Sequence, residues 1–123
     1  MRQYILLAAL SSVLLSASEC NKKESGQQYK GRLEVAGICM NYTIGVLEGN
    51  PGTDKIESKW TDEVTQKEYV NVFRLGNPCD FPSTIKLGDE FNFLIDTSKG
   101  KDCAVCLAYY PTPSKALSIK VVD

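Results

Sequence analysis

Four of the five cysteines in this chain of 123 residues stand after residue 30, at Cys39, Cys79, Cys103 and Cys106, and they constrain the fold more than any other feature. A domain this small builds only a modest core, so cross-links matter, and cross-links persist only outside the reducing cytosol. Four cysteines allow three pairings. Read as a strand, Asp102 to Tyr110 sets Cys103, Val105, Leu107 and Tyr109 on one face and Ala104, Cys106, Ala108 and Tyr110 on the other. The Cα atoms of Cys103 and Cys106 are then about 10 Å apart, beyond the roughly 7 Å that a disulfide spans. Each therefore needs a distant partner. Cys39 shares a face with Leu33 and Val35, as Cys103 does with Val105 and Leu107, and two inward faces can meet across a core. That favours Cys39 with Cys103 and leaves Cys79 with Cys106.

The fifth cysteine follows an export signal. Arg2 supplies the positive start, Tyr4 to Leu15 is an apolar run too short for the ~20 residues of a membrane span, and Ser16 to Ser18 are small. An odd cysteine count is unusual in an exported chain, and giving Cys20 to lipid leaves an even set for two disulfides. The run Cys20-Asn21-Lys22-Lys23-Glu24 resembles the start of mature lipoproteins of Bacteroidota-type bacteria, although Ala17 and Glu19 depart from the usual lipobox. The other reading is cleavage after Ser18 and release as a soluble periplasmic or secreted protein. On the first reading residues 1–19 are a signal peptide, 20–29 a lipid-anchored flexible tether and 30–123 a single β-barrel domain, held in the cell envelope at the outer membrane. Arg2 and Glu19 leave together, so the net charge stays at −1, and nothing points to nucleic acid.

From Gly31 onward, period-2 patterns separated by turn chemistry predict an all-β domain. Strands are expected at 31–40, 42–48, 68–75, 87–96 and in the two halves of 102–122, which Pro111-Thr112-Pro113 separates, while Lys55 to Trp60 alternates only briefly. Gly37 and Gly45, inside strand patterns, are expected to mark bulges or bends. The expected core is Leu33, Val35, Ile44, Val46, Val70, Val72, Phe91, Phe93, Ile95, Leu107, Leu117 and Ile119. About five to six antiparallel strands in so short a chain suit a small OB-like β-barrel, with a β-sandwich as the alternative. In strand order, cysteine placement and the run Tyr109 to Pro113, residues 31–122 resemble the small OB-like β-barrel domains of secreted Bacteroidota-type lipoproteins. That resemblance implies the barrel and no particular activity.

The chemistry available is narrow. The chain has no His, which removes Ser-His-Asp and Cys-His catalysis and His-ligated metals. Cys103-x-x-Cys106 has the spacing of a thiol-disulfide oxidoreductase, but only 17 residues follow it and the flanks read as strand, not helix. A four-thiolate zinc site would need a second Cys-x-x-Cys knuckle. Asp62-Glu63, Asp89-Glu90, Asp96 and Asp102 are the candidate carboxylates, each in or beside a polar turn where a solvated surface acid is expected. Asp96 and Asp102 lack the alternating acids of a calcium loop. Asn41-Tyr42-Thr43 matches a glycosylation acceptor, a coincidence in a bacterial lipoprotein.

What remains is a candidate contact patch. Tyr109, Tyr110, Pro111 and Pro113, with the lone tryptophan Trp60, are the residues suited to a peptide or glycan, although aromatic and proline residues also close barrels. The expected function is a non-enzymatic binding or interaction module on the cell envelope, without cofactor or metal, touching the membrane through its lipid and an envelope protein, peptide or glycan through the patch. The alternative is a periplasmic oxidoreductase using Cys103 and Cys106.

Overall fold

The computed structural model describes residues 26–123, so the signal segment, Cys20 and the first part of the expected tether lie outside the described residues. The chain runs as β1 (Gln28–Gly37), a 3-10 turn (Ile38–Met40), β2 (Asn41–Glu48), β3 (Glu57–Thr61), β4 (Glu68–Leu75), a second 3-10 turn (Pro78–Asp80), β5 (Glu90–Ile95), β6 (Ala116–Leu117) and β7 (Ile119–Val122). The fold is all-β, as the alternating patterns predict. Gln28 and Tyr29, assigned above to the tether, already belong to β1, and Tyr29 is buried.

The strands form one sheet in the order β3-β4-β2-β1-β5-β7. β1 is long enough to serve two neighbours: Lys30 to Gly37 pair with β2 and Gln28 to Arg32 with β5. Its register slips between Lys30 and Gly31 and again between Leu33 and Val35, so neither irregularity falls at Gly37 or Gly45. One pairing departs from the antiparallel expectation. β6 runs parallel to β4 over Arg74↔Ala116 and Leu75↔Leu117, while β7, one residue further on, pairs antiparallel with β5. The sheet thus folds over on itself without the continuous ladder of a closed barrel, an arrangement that also fits the sandwich alternative.

An aromatic cluster fills the inside of the curl. Phe73, Phe91 and Phe93 pack with Tyr29, Leu33, Ile44 and Ile119, and Ile95 and Leu117 are half-buried against them. Two expected core residues are exposed instead. Val70 is exposed because Asn71 takes a left-handed φ of 54° that interrupts the alternation, after which Val72 and Phe73 are both buried on opposite faces of β4. Leu107 is 97 % exposed because residues 96–115 form no strand at all.

The face turned away from the aromatic cluster is covered as well. Register places Val35, Thr43 and Val72 together on that side, and all three are buried. Gly37 lies on the same side. A Cβ there would come within 2.8 Å of the Tyr110 ring, so glycine lets the irregular 96–115 segment lie against the sheet.

Where β4 ends, a side chain continues its ladder. The Asn77 amide donates to the Ile119 carbonyl at 2.7 Å and its oxygen accepts the Ile119 N–H at 2.8 Å, both buried. Asn77 therefore does for Ile119 what a third residue pair between β4 and the C-terminal run would do. Asn77→Ala will strand both groups and destabilise the fold by about 2 to 3 kcal/mol. Urea denaturation measures it, and a loss under about 0.5 kcal/mol would show that the amide carries no such duty.

Candidate functional site at the stapled loop end

One end of the sheet gathers three connections, and the two disulfides tie them together. Cys39 in the β1–β2 turn bonds Cys106, with Cα atoms 5.1 Å apart. Cys79 in the β4–β5 connection bonds Cys103, at 5.6 Å. Cys103 and Cys106 are not bonded to each other, as expected, although the strand on which that expectation rested is absent, and the favoured partners are exchanged. The reason is local: Cys39 sits in a 3-10 turn with φ 59°, not on a strand face, and Cys103 and Cys106 lie in an irregular segment. Face matching between strands could not apply to either.

The segment 101–115 is a strap fixed at several points. Lys101 N–H donates to Asp80 at 3.1 Å, and the two disulfides follow. The Asn41 amide donates to the Ile38 and Ala108 carbonyls at 2.7 and 3.0 Å, holding turn and strap together. Beyond it the Tyr110 hydroxyl donates to Asp62 at 2.8 Å, Pro111 and Pro113 are buried, Ser114 bonds Glu57 and the Lys115 ammonium donates to the Thr53 carbonyl at 2.6 Å. Pro111 and Pro113 have no N–H for a ladder, so the strap could not continue β6 toward its N-terminal side.

Between these fixings the strap turns its apolar side chains outward. Val105, Leu107 and Tyr109 are 44, 97 and 78 % exposed, and Ile38 and Met40 of the adjoining turn are 57 and 41 % exposed. Met40 shares with Cys39 a left-handed backbone, φ 60°, which non-glycine residues adopt at a cost of about 1 to 2 kcal/mol. The disulfide and the Asn41 bonds hold the turn in that shape. Met40, Val105, Leu107 and Tyr109 border an open groove of about 370 Å³ that Arg74 to Gly76, at the end of β4, also line.

The five residues expected as a contact patch part company. Tyr109 faces solvent, whereas Tyr110 is half-buried and Pro111 and Pro113 are buried. Trp60 is half-buried on the β3–β4 hairpin, its ring stacked on Tyr69 with centroids 5.8 Å apart. Ile38, Met40 and Arg74 carry no sequence signal of a site, and Leu107 reads as core. An exposed apolar residue in a period-2 run looks like core, and only the absence of a neighbouring strand distinguishes the two.

Among the candidate carboxylates Asp62 reverses expectation, since it is fully buried and not a solvated turn residue. Burial pushes its pKa upward, but hydrogen bonds from Tyr110, Val64 and Thr65 outweigh that and hold it below the ordinary 3.8. The same bond to Asp62 pushes the Tyr110 phenol upward. Asp89 caps a turn at Lys86, Glu90 pairs with Lys30 and Arg32, and Asp96 accepts from Ser98. Among the described residues no group of three or more acids or cysteines is placed to hold a metal ion.

The Asp62–Tyr110 bond is thus a latch between strap and hairpin, and its pH dependence has a definite sign. A carboxylate whose folded pKa is depressed stabilises the fold above its ordinary pKa, and that stability is lost as pH falls through the folded value. Tyr110→Phe will lower the Tm by several degrees at pH 7, and the gap from the wild type will narrow below about pH 4. Thermal scans across pH test this, and a gap that stays constant to pH 2 would show that the carboxylate is not the partner that matters.

Comparison of the chain with protein-family models, with curated proteins and with solved structures finds no match.

Proposed function

We propose that this protein is a non-enzymatic binding module of the small OB-like lipoprotein kind, tethered to the cell envelope by a lipid on Cys20, and that its stapled loop end is the contact surface. The observation that carries the reading is the cluster of Ile38, Met40, Val105, Leu107 and Tyr109, exposed yet held in place around the Cys39–Cys106 bond. Exposed apolar side chains gathered in one place mark interaction sites, and a cross-linked loop loses little entropy on binding.

The disulfides fit an extracytoplasmic location. Among the described residues no helix is long and apolar enough to cross a membrane; the attachment proposed is the lipid on Cys20. The oxidoreductase alternative has less behind it, because each cysteine of the Cys103-x-x-Cys106 pair is bonded elsewhere. Such an enzyme cycles a bond between the two.

Cross-linking in the intact envelope tests the proposal. The wild type should capture a partner that a Leu107→Ser, Tyr109→Ser variant loses, with disulfides and localisation unchanged. Equal capture by both would overturn the assignment of the loop end. Intact-mass analysis tests the anchor: a chain beginning at a lipid-modified Cys20 supports it, and an unmodified chain beginning at Glu19 refutes it.

A further inference from the structure

We infer that the groove beside the Cys39–Cys106 bond takes an extended protein segment carrying a carboxylate among apolar side chains, with Arg74 as the group that receives the carboxylate. The inference rests on the binding reading above and names the chemistry of the partner. The β2–β4 register covers three residue pairs and ends at Thr43↔Arg74. Past that pair Asn41 and the Leu75–Gly76 backbone line opposite sides of the groove, and the strap from Val105 to Tyr109 forms its outer rim. A space of about 370 Å³ falls within the ~300–1,000 Å³ typical of ligand sites.

Charge decides what fits there. Arg74 is the single charged residue in the lining, and it is exposed. Among the described residues no carboxylate lies within ion-pair distance of it, whereas Lys30 and Arg32 on β1 are both paired with Glu90, and Arg32 also with Glu34. A free guanidinium between apolar walls offers a planar two-pronged donor, and a carboxylate is the group that matches it. Leu107, Tyr109 and Met40 then cover the neighbouring side chains of the same segment.

Geometry favours a protein segment over the anchoring bilayer. β1 begins at Gln28, eight residues after Cys20, and its ten residues span about 33 Å before reaching the turn that borders the groove. The anchored end and the groove are therefore at opposite ends of the same strand.

The test is selection of displayed random dodecapeptides on the full, disulfide-intact protein, with binding then measured for enriched peptides. Peptides combining apolar residues with Asp, Glu or a free C-terminal carboxylate are expected. Their affinity should fall about tenfold with Arg74→Gln, fall less with Arg74→Lys, which keeps the charge, and weaken with added salt. Non-reducing peptide mapping and an unchanged Tm confirm that each variant is folded.

Enriched peptides without an acidic group, or equal binding by Arg74→Gln, would overturn the inference. So would absence of peptide enrichment, whether accompanied by Leu107-dependent binding to phosphatidylglycerol vesicles or by Leu107-dependent self-association. Peptide binding lost in Leu107→Ser but retained in Arg74→Gln removes the carboxylate and leaves the binding reading standing. Binding retained in both variants removes both.

Discussion

Replacing Cys39 and Cys106 together by serine will destabilise the domain by about 4 kcal/mol, and replacing Cys79 and Cys103 by about 3 kcal/mol. The order follows from the sequence separations, 67 residues against 24, because a cross-link that closes a longer loop removes more freedom from the unfolded chain. A domain of this size has about 5 to 15 kcal/mol in total, so losing both bonds will leave it unfolded near 37 °C. Urea titrations under oxidising conditions give the two numbers. The variants should also differ locally. Without Cys39–Cys106 the strap around Leu107 loses its nearest fixing and becomes the first site of proteolysis, while the Cys79–Cys103 variant keeps that fixing and resists longer there. Losses under about 1 kcal/mol, or identical cleavage patterns, would show that the disulfides do not hold the loop end.

The same segment shows how far the sequence could be read. Alternation located the strands around Leu33, Ile44, Phe73 and Phe93 because each of those residues has a neighbouring strand on which its face can close. Val105, Leu107 and Tyr109 alternate equally well and have no such neighbour. Periodicity records which side chains share a face and says nothing about whether another strand is present to cover it. Cysteine spacing reached the right outcome from a premise the structure does not keep: about 10 Å between Cys103 and Cys106 holds only for a strand, and the segment is irregular, yet each cysteine does bond a distant partner. Partner choice needed the turn at Cys39, whose left-handed backbone no residue type signalled, since Cys and Met rarely adopt it. Asp62 was hidden for a related reason. Its burial depends on Tyr110, 48 positions away, crossing from the strap to the β3–β4 hairpin.

Phe93→Ala will cost about 3 to 5 kcal/mol, an effect in the same range as the loss of the longer disulfide. Phe93 is fully buried, and its ring meets those of Tyr29, Phe73 and Phe91 at centroid distances of 5.4, 5.8 and 6.0 Å. It joins the two arms of the sheet, since Phe93 pairs with Tyr29 on β1 and with Val121 on β7 while its ring reaches Phe73 on β4. The space it occupies exists because position 31 is glycine. A Cβ on Gly31 would lie 2.9 Å from the Phe93 ring and 3.2 Å from the Gly45 carbonyl oxygen, a backbone atom that cannot swing aside. Gly31→Ala will therefore destabilise the domain by about 1 to 3 kcal/mol through overpacking. The double variant Gly31→Ala, Phe93→Leu should lose less than the sum of its two single changes, because the smaller side chain vacates the volume the methyl enters. Denaturation of the four proteins closes the cycle. Strict additivity would mean that the Gly31 methyl is resisted by the Gly45 backbone and the Ile44 side chain, each 3.2 Å away, and the aromatic ring would not be what fixes glycine at that position.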